Sequence, residues 1–325
     1  MRRMHVLGVL IATGALSMTV AAYQQQPQAG QGGEKPRVVE VEKLKENFFV
    51  LRGQGGGGNT SVLVMANGVA VVDTKNPGWG QPVIDKIKEL TPKPITLIVN
   101  THTHGDHVSG NVEYPTTADI VVQEQTAALM KQMNPVAGLA APGGAKPAGP
   151  TIFEQNQGRG MPKRTFKDHM TIGKGPDQID LHFFGRGHTG GDAWVLFPAL
   201  RIVAAGDDFA WNNQLPLLDT NNGGSAVEYP DTLMKAHGAH SKSAEIIVTG
   251  HSAQMTFNDL RAWADFNREF VNQARAAKKA GQTAEQFATS WKTPANFQPA
   301  ANENAQKAAM LRLTTNIQTV YNETK

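Results

Sequence analysis

The sequence predicts an α/β domain built from layered sheets. Short apolar runs rich in Val and Ile recur along the chain, and helical patterns lie between them from end to end. No unit repeats at a fixed short period, which argues against a solenoid. Hydrophobic residues make up 40% and charged residues 18% of the 325. Such a chain buries a sizeable core and is neither disordered nor collagen-like.

Taken in order, residues 1–22 read as a signal peptide. Arg2 and Arg3 give the positive start, Val6 to Val20 is apolar and small, and Val20-Ala21-Ala22 offers a cleavage site. An uncleaved membrane anchor is the alternative, but Gly8, Thr13, Gly14, Ser17 and Thr19 dilute the apolar run. The expectation is export to the periplasm or secretion, with no stable membrane anchor after cleavage. Residues 23–36 are Gln, Gly and Pro rich and read as a flexible linker. The folded part is then residues 37–325, ending in polar helices.

Strand patterns follow at Val38–Val41, Phe48–Leu51, Ser61–Met65 and Val69–Val72, with a hairpin signal at Asn67-Gly68. The glycine run Gly55–Gly58 has nothing to pack with and reads as a mobile loop. A helix is expected over Gln81–Leu90, stopped by Pro92 and Pro94. Ile95–Val99 and Ile120–Val122 read as buried strands and Gln125–Met133 as a short helix. Residues 134–163, rich in Pro, Gly and Ala, read as one long loop. Further strands are expected at Ile179–Phe184, Trp194–Phe197, Ile202–Ala205 and Ile246–Val248. Thr256 and Asp259 form a capping-box pattern, opening a long helix that buries Leu260, Trp263, Phe266, Phe270 and Val271 and stops at Gly281.

The segment His102-Thr103-His104-Gly105-Asp106-His107 places four metal-binding groups in six residues. With no Cys in the chain, a zinc ion must take imidazole nitrogen and carboxylate oxygen. On a strand, His102 and His104 point to the same side and share one ion. Asp106 and His107, past the Gly105 turn, face a second. A solvated His-rich loop is the bland alternative, but three of only ten His fall here, behind a buried strand. His188, Asp207 and His251 each follow a Gly at the carboxyl end of an apolar run, where layered α/β folds assemble their sites.

In order, Val71-Val72-Asp73-Thr74, His102 to His107, Gly187-His188-Thr189, Gly206-Asp207 and Gly250-His251 resemble the metallo-β-lactamase superfamily over roughly residues 38–255. The resemblance implies a four-layer αβ/βα sandwich with a two-metal site on one edge. It implies His102, His104 and His188 on one zinc ion, Asp106, His107 and His251 on a second, and Asp207 bridging them. Asp73 matches a structural carboxylate that steadies the motif loop. Asp208 competes with Asp207 for the bridging role, and Asp207 fits the pattern because it directly follows Gly206.

One departure bears on substrate. Where this chain has Asp207, one subclass of true metallo-β-lactamases has Cys and another has Ser; Asp there is similar to glyoxalase II and lactonase relatives. The reaction implied is hydrolysis of an ester, lactone, thioester or lactam by a hydroxide shared between two zinc ions, with Asp106 as the catalytic proton carrier. The alternatives are true β-lactamase activity and an iron-dependent redox relative such as a persulfide dioxygenase. The substrate is a small molecule. A net charge of +3, scattered along the chain, does not mark a nucleic-acid binder. Trp211 is a candidate pocket wall, and the loops at 53–58 and 134–163 are candidate flaps.

Overall fold

A computed structural model describes residues 36–139, 149–294 and 303–325. The signal peptide and nearly all of the linker lie outside the described residues. Seven strands form a first sheet in sequence order: β1 (Glu40–Lys45), β2 (Phe48–Arg52), β3 (Thr60–Met65), β4 (Gly68–Val72), β5 (Ile95–Val99), β6 (Asp119–Gln123) and β7 (Arg164–Phe166). The first four make an antiparallel meander, and β4 to β7 run parallel. The second sheet contains β8 (His169–Ile172), β9 (Ile179–His182), β10 (Trp194–Phe197), β11 (Ile202–Gly206) and β12 (Ile246–Thr249). Its order is β12-β11-β10-β9-β8, antiparallel except for the β11–β12 pair.

Alternation along the strands builds the layers, because successive side chains point to opposite faces. Val50, Val72, Val99 and Val121 meet Leu181, Val195, Phe197 and Ala204 between the sheets. Val62, Val71, Ile98 and Val122 face outward onto the helices α1 (Gly80–Leu90), α2 (Gly105–Val108), α3 (Glu124–Met130) and α4 (Ile152–Gln155). On the far side, Trp194, Val203 and Ile247 pack under α5 (Tyr229–His240), α6 (Phe257–Lys279), α7 (Ala284–Ser290) and α8 (Glu303–Glu323). The result is helix, sheet, sheet, helix. No helix among the described residues is long and apolar enough to cross a membrane.

The expected elements are present with ends shifted by up to four residues: β1 runs on to Lys45 and α3 stops at Met130 rather than Met133, while the expected loop at 134–163, of which 140–148 lie outside the described residues, holds the short helix α4. Thr256 and Asp259 form the capping box of α6, and Gly281 beyond its end has φ +78°. The edge strands β7 and β8 and helix α5 carry no strong sequence signal. Arg164-Thr165-Phe166 and His169–Ile172 are short and half polar, as sheet edges are. Pro230 and Gly238 mask the helical pattern of α5, although Pro in its first turn is compatible with a helix.

Helix α5 ends on a histidine ladder. The rings of His169 and His182, cross-strand partners on β8 and β9, lie 4.6 Å apart, and His240 meets His182 at 4.9 Å. His240 is buried and its Nε2 makes no hydrogen bond. Burial, reinforced by His182 and offset in part by Asp180, brings its pKa down to about 4. The folded state therefore resists a proton that the unfolded chain accepts near pH 6.5. Stability is full above that pH and falls as pH drops towards 4, by about 3 kcal/mol from this residue. His240→Phe should flatten the decline in denaturation midpoint between pH 7 and 4.5; an unchanged decline would assign the acid sensitivity elsewhere.

Candidate metal centre

The carboxyl ends of β4, β5, β11 and β12 lie along one edge of the sandwich and deliver Asp73, the 102–107 segment, Asp207 and His251 there. Strand β5 stops at Val99, so His102 and His104 stand in an extended loop rather than on a strand. Gly105 opens α2, and Asp106 and His107 occupy its first turn. The donors converge nonetheless. Donor atoms of His102, His104, His188 and Asp207 lie within 4.8 Å of one another, and so do those of Asp106, His107 and His251. Asp207 sits between the sets, with carboxylate oxygens 3.4 Å from His107 Nε2, 3.7 Å from His188 Nε2 and 3.2 Å from His251 Nε2.

The outward ring nitrogens are already engaged, which turns the others inward. His104 Nε2 meets Asp219 Oδ2 at 2.7 Å, leaving Nδ1 facing His188 Nε2 at 3.0 Å. His188 Nδ1 is held by the carbonyl of Leu217. His107 Nδ1 meets Asp73 Oδ2 at 2.8 Å, and its Nε2 faces His251 Nε2 at 3.3 Å. His102 Nδ1 contacts Thr101 Oγ1 at 3.0 Å. Three inward atoms, His102 Nε2, Asp106 Oδ2 and Asp207 Oδ1, are buried and make no hydrogen bond. Buried polar atoms are normally satisfied, so these orphans suit a metal that would take their lone pairs.

Electrostatics separates the two sets. Burial and neighbouring imidazoles push His102 well below the ordinary range, and burial pushes His188 down to about 4. Both are therefore held neutral at physiological pH. Burial also opposes charge on His107 and His251, but carboxylates outweigh it: Asp106, Asp207 and Asp73 hold His107 well above the ordinary range, and Asp207 raises His251. Asp207 is held well below the usual carboxylate range, because His251 and His107 overcome its burial.

Asp73 is the clamp expected from its position. Its carboxylate accepts from Thr101 N–H at 2.8 Å and Thr101 Oγ1 at 2.8 Å, as well as meeting His107. Removing such an outer partner commonly weakens metal binding by about 10- to 100-fold. Asp73→Ala should lose one metal equivalent that strongly in a competition titration with a chromophoric chelator while retaining the other. An unchanged titration would show that the clamp does not tune affinity.

Asp208 does not compete with Asp207. Its carboxylate accepts from His188 N–H at 3.0 Å and Trp194 Nε1–H at 2.9 Å, beneath the site, and burial brings its pKa up to about 6. The two carboxylates diverge within the short 3-10 turn Asp207–Phe209 that follows Gly206. Gly206 has φ +53°, and a Cβ there would strike Thr101, so no other residue fits. The glycine run at 55–58 is also unlike its expectation. A Cβ on Gly57 would strike Asp106, and one on Gly58 the His107 ring. The run is packed on the ligand loop, and buried Lys75 holds it through a 2.6 Å hydrogen bond from Nζ to the Gly58 carbonyl.

Sequence reasoning missed Asp219, buried and within reach of His104, because nothing local marks it. Asn222 donates to Asp219 at 2.5 Å, and Asn221 donates to the Pro135 carbonyl at 2.9 Å. These asparagines brace a neighbouring loop. A cavity of about 310 Å³ opens above the donors, walled by Val136, Leu139, Trp211, Leu217, Gln214 and Arg312.

The family model of the metallo-beta-lactamase superfamily matches residues 53–251, more than half of the chain. The chain belongs to the metallo-β-lactamase superfamily. It is 26% identical over 186 residues to metallo-beta-lactamase type 2 of Elizabethkingia meningoseptica, covering 54% of this chain and 64% of that relative. The match therefore spans less than two thirds of that relative's length. Metallo-beta-lactamase IND-1 of Chryseobacterium indologenes is 22% identical over 221 residues, or 67% of this chain and 81% of its own. Among solved structures, a metallo-beta-lactamase from Pontibacter korlensis superposes with a TM-score of 0.56 at 19% identity, covering 71% of this chain and 99% of its own. DIM-1 metallo-beta-lactamase superposes with a TM-score of 0.56 at 18% identity, covering 73% and 99%. These structures carry the fold. Among the described residues, the chain carries His and Asp groups able to hold metal ions.

Proposed function

We propose that the protein is a zinc-dependent hydrolase holding two zinc ions per chain and cleaving an ester, lactone, thioester or lactam bond. The observation that carries this is the convergence of seven buried or half-buried donors in two adjoining groups, four of them lining one cavity, with inward atoms left unsatisfied. His102 Nε2, His104 Nδ1 and His188 Nε2 would hold one ion, and Asp106, His107 Nε2 and His251 Nε2 the other. Asp207 would bridge them. Zinc supplies Lewis acidity to a carbonyl and lowers the pKa of a water towards neutrality.

The protein's own groups do the rest. Asp106 lines the cavity, where its carboxylate can accept a proton from the attacking water and return it to the leaving atom. Asp219 and Asp73 hold the tautomers of His104 and His107. Val136, Leu139 and Leu217 thin the water around the scissile bond. The full His107 and His251 set speaks against an iron-dependent redox relative, which would need fewer ligands. β-Lactam hydrolysis is the second reading: the relatives' names favour it, and Asp207 opposes it.

Elemental analysis of a preparation never exposed to chelator should give close to two zinc per chain, as the seven donors require. One tightly held iron with a visible absorption band would overturn the zinc assignment.

A further inference from the structure

Two of the three imidazoles in the first donor set lean on one segment. The Leu217 carbonyl takes His188 Nδ1, Asp219 N–H donates to the His188 carbonyl at 2.8 Å, and Asp219 Oδ2 meets His104 Nε2 at 2.7 Å. Residues 215–219 therefore set the direction of both rings, yet they belong to no strand or helix. They are held from α8, which lies beyond the end of the family match at residue 251. Asn316 Nδ2 donates to the Pro216 carbonyl at 2.9 Å, and Arg312 Nη1, one turn earlier, to the Leu215 carbonyl at 3.1 Å. Three successive carbonyls are thus taken by side chains, two of them from α8 and the third by His188 itself. At the far end of α8, Glu323 Oε2 accepts from Ser225 Oγ and Val227 N–H at 3.0 Å each, and Ser225 N–H donates to the Gly187 carbonyl at 3.0 Å. The helix therefore grips both flanks of His188.

Asn316 is costly where it stands. Leu313, Ile317 and Val320 seat α8 in the same apolar cluster as Leu215 and Leu218, and Asn316 is buried among the residues of that helix. Its Oδ1 is buried and finds no hydrogen-bond partner among the described residues. An apolar side chain would carry no such penalty, so what the amide supplies is its donor to Pro216. We propose that Asn316 is a positioning residue for the first metal site, holding the Pro216 carbonyl so that the next one, of Leu217, keeps His188 protonated at Nδ1 with Nε2 turned inward. A ring that loses this partner can rotate or carry its proton on the nitrogen that must bind the ion. The inference rests on the two-zinc reading for its ion, but the relay can be read in the metal-free chain.

The test uses the full chain with nitrogen-15-labelled histidine, and zinc as the only added ligand. In the metal-free protein His188 should show an Nδ1 proton in slow exchange with water, because a buried carbonyl holds it. Asn316→Leu should speed that exchange by about tenfold or more. It should also weaken one zinc equivalent by about tenfold in competition with a chromophoric chelator and leave the other unchanged. Asn316→Ala, which adds no bulk, should do the same, and Asn316→Gln, which keeps the donor, should restore part of both. Ile317→Ala is the control, since it loosens the apolar seat of α8 and leaves the amide in place. It should keep both zinc equivalents and the slow proton. Unchanged exchange and zinc binding in Asn316→Leu and Asn316→Ala would overturn the proposal. So would an equal loss of zinc in Ile317→Ala, because any loosening of α8 would then suffice. An unmodified chain that binds no zinc but shows the Asn316-dependent slow proton would keep the relay and refute the two-zinc reading.

Discussion

His188→Ala is expected to lower hydrolysis by about a thousandfold or more, some 4 kcal/mol of transition-state stabilisation. The side chain is buried, its Nε2 faces His104 Nδ1 at 3.0 Å, and its Nδ1 is held by the Leu217 carbonyl. Loss of the ring therefore removes a donor and also one tether of the cavity wall. His104→Ala separates these effects, because its outward nitrogen contacts the Asp219 carboxylate rather than that wall. Both variants should drop at least one zinc equivalent. Neither should lose the sandwich, whose three apolar clusters contain no ligand. Far-ultraviolet circular dichroism, zinc content and kcat/KM measured on the same preparations decide the matter. Full activity in either variant would remove the site assigned to it.

Asp207→Cys should lower ester and lactone hydrolysis by about tenfold or more and raise the ratio of β-lactam to ester turnover. The carboxylate spans both donor sets and carries the charge that lifts His107 and His251. A thiolate in its place offers one atom where the carboxylate offers two, so it cannot bridge in the same way. The unmodified enzyme should accordingly prefer lactones or other esters to β-lactams. The measurement is kcat/KM on a lactone panel and a β-lactam panel for both proteins. A tenfold preference of the unmodified enzyme for β-lactams, about 1.4 kcal/mol of discrimination, would refute the argument from Asp207.

The sequence by itself determined the strands that lead to the candidate site and singled out the seven residues that the fold brings together there. Apolar runs such as Ile95–Val99 and Ile202–Ala205 are strong local signals, and the donors beside them are chemically rare in a chain without Cys. It also singled out Asp73, whose role rests on a strand end and a neighbouring loop. Only the tertiary structure decided between Asp207 and Asp208. The two are adjacent in sequence, and in the short 3-10 turn after Gly206 one carboxylate faces His107 and His251 while the other accepts from Trp194. Only the fold could bring Asp219 to His104 across 115 positions, or set the glycine run against His107. The same holds for Arg312, which lies on a helix whose sequence reads as polar and unremarked. Local patterns report which groups a segment presents, because side-chain direction follows backbone period; they carry no record of which distant segment faces them, because packing between layers sets that.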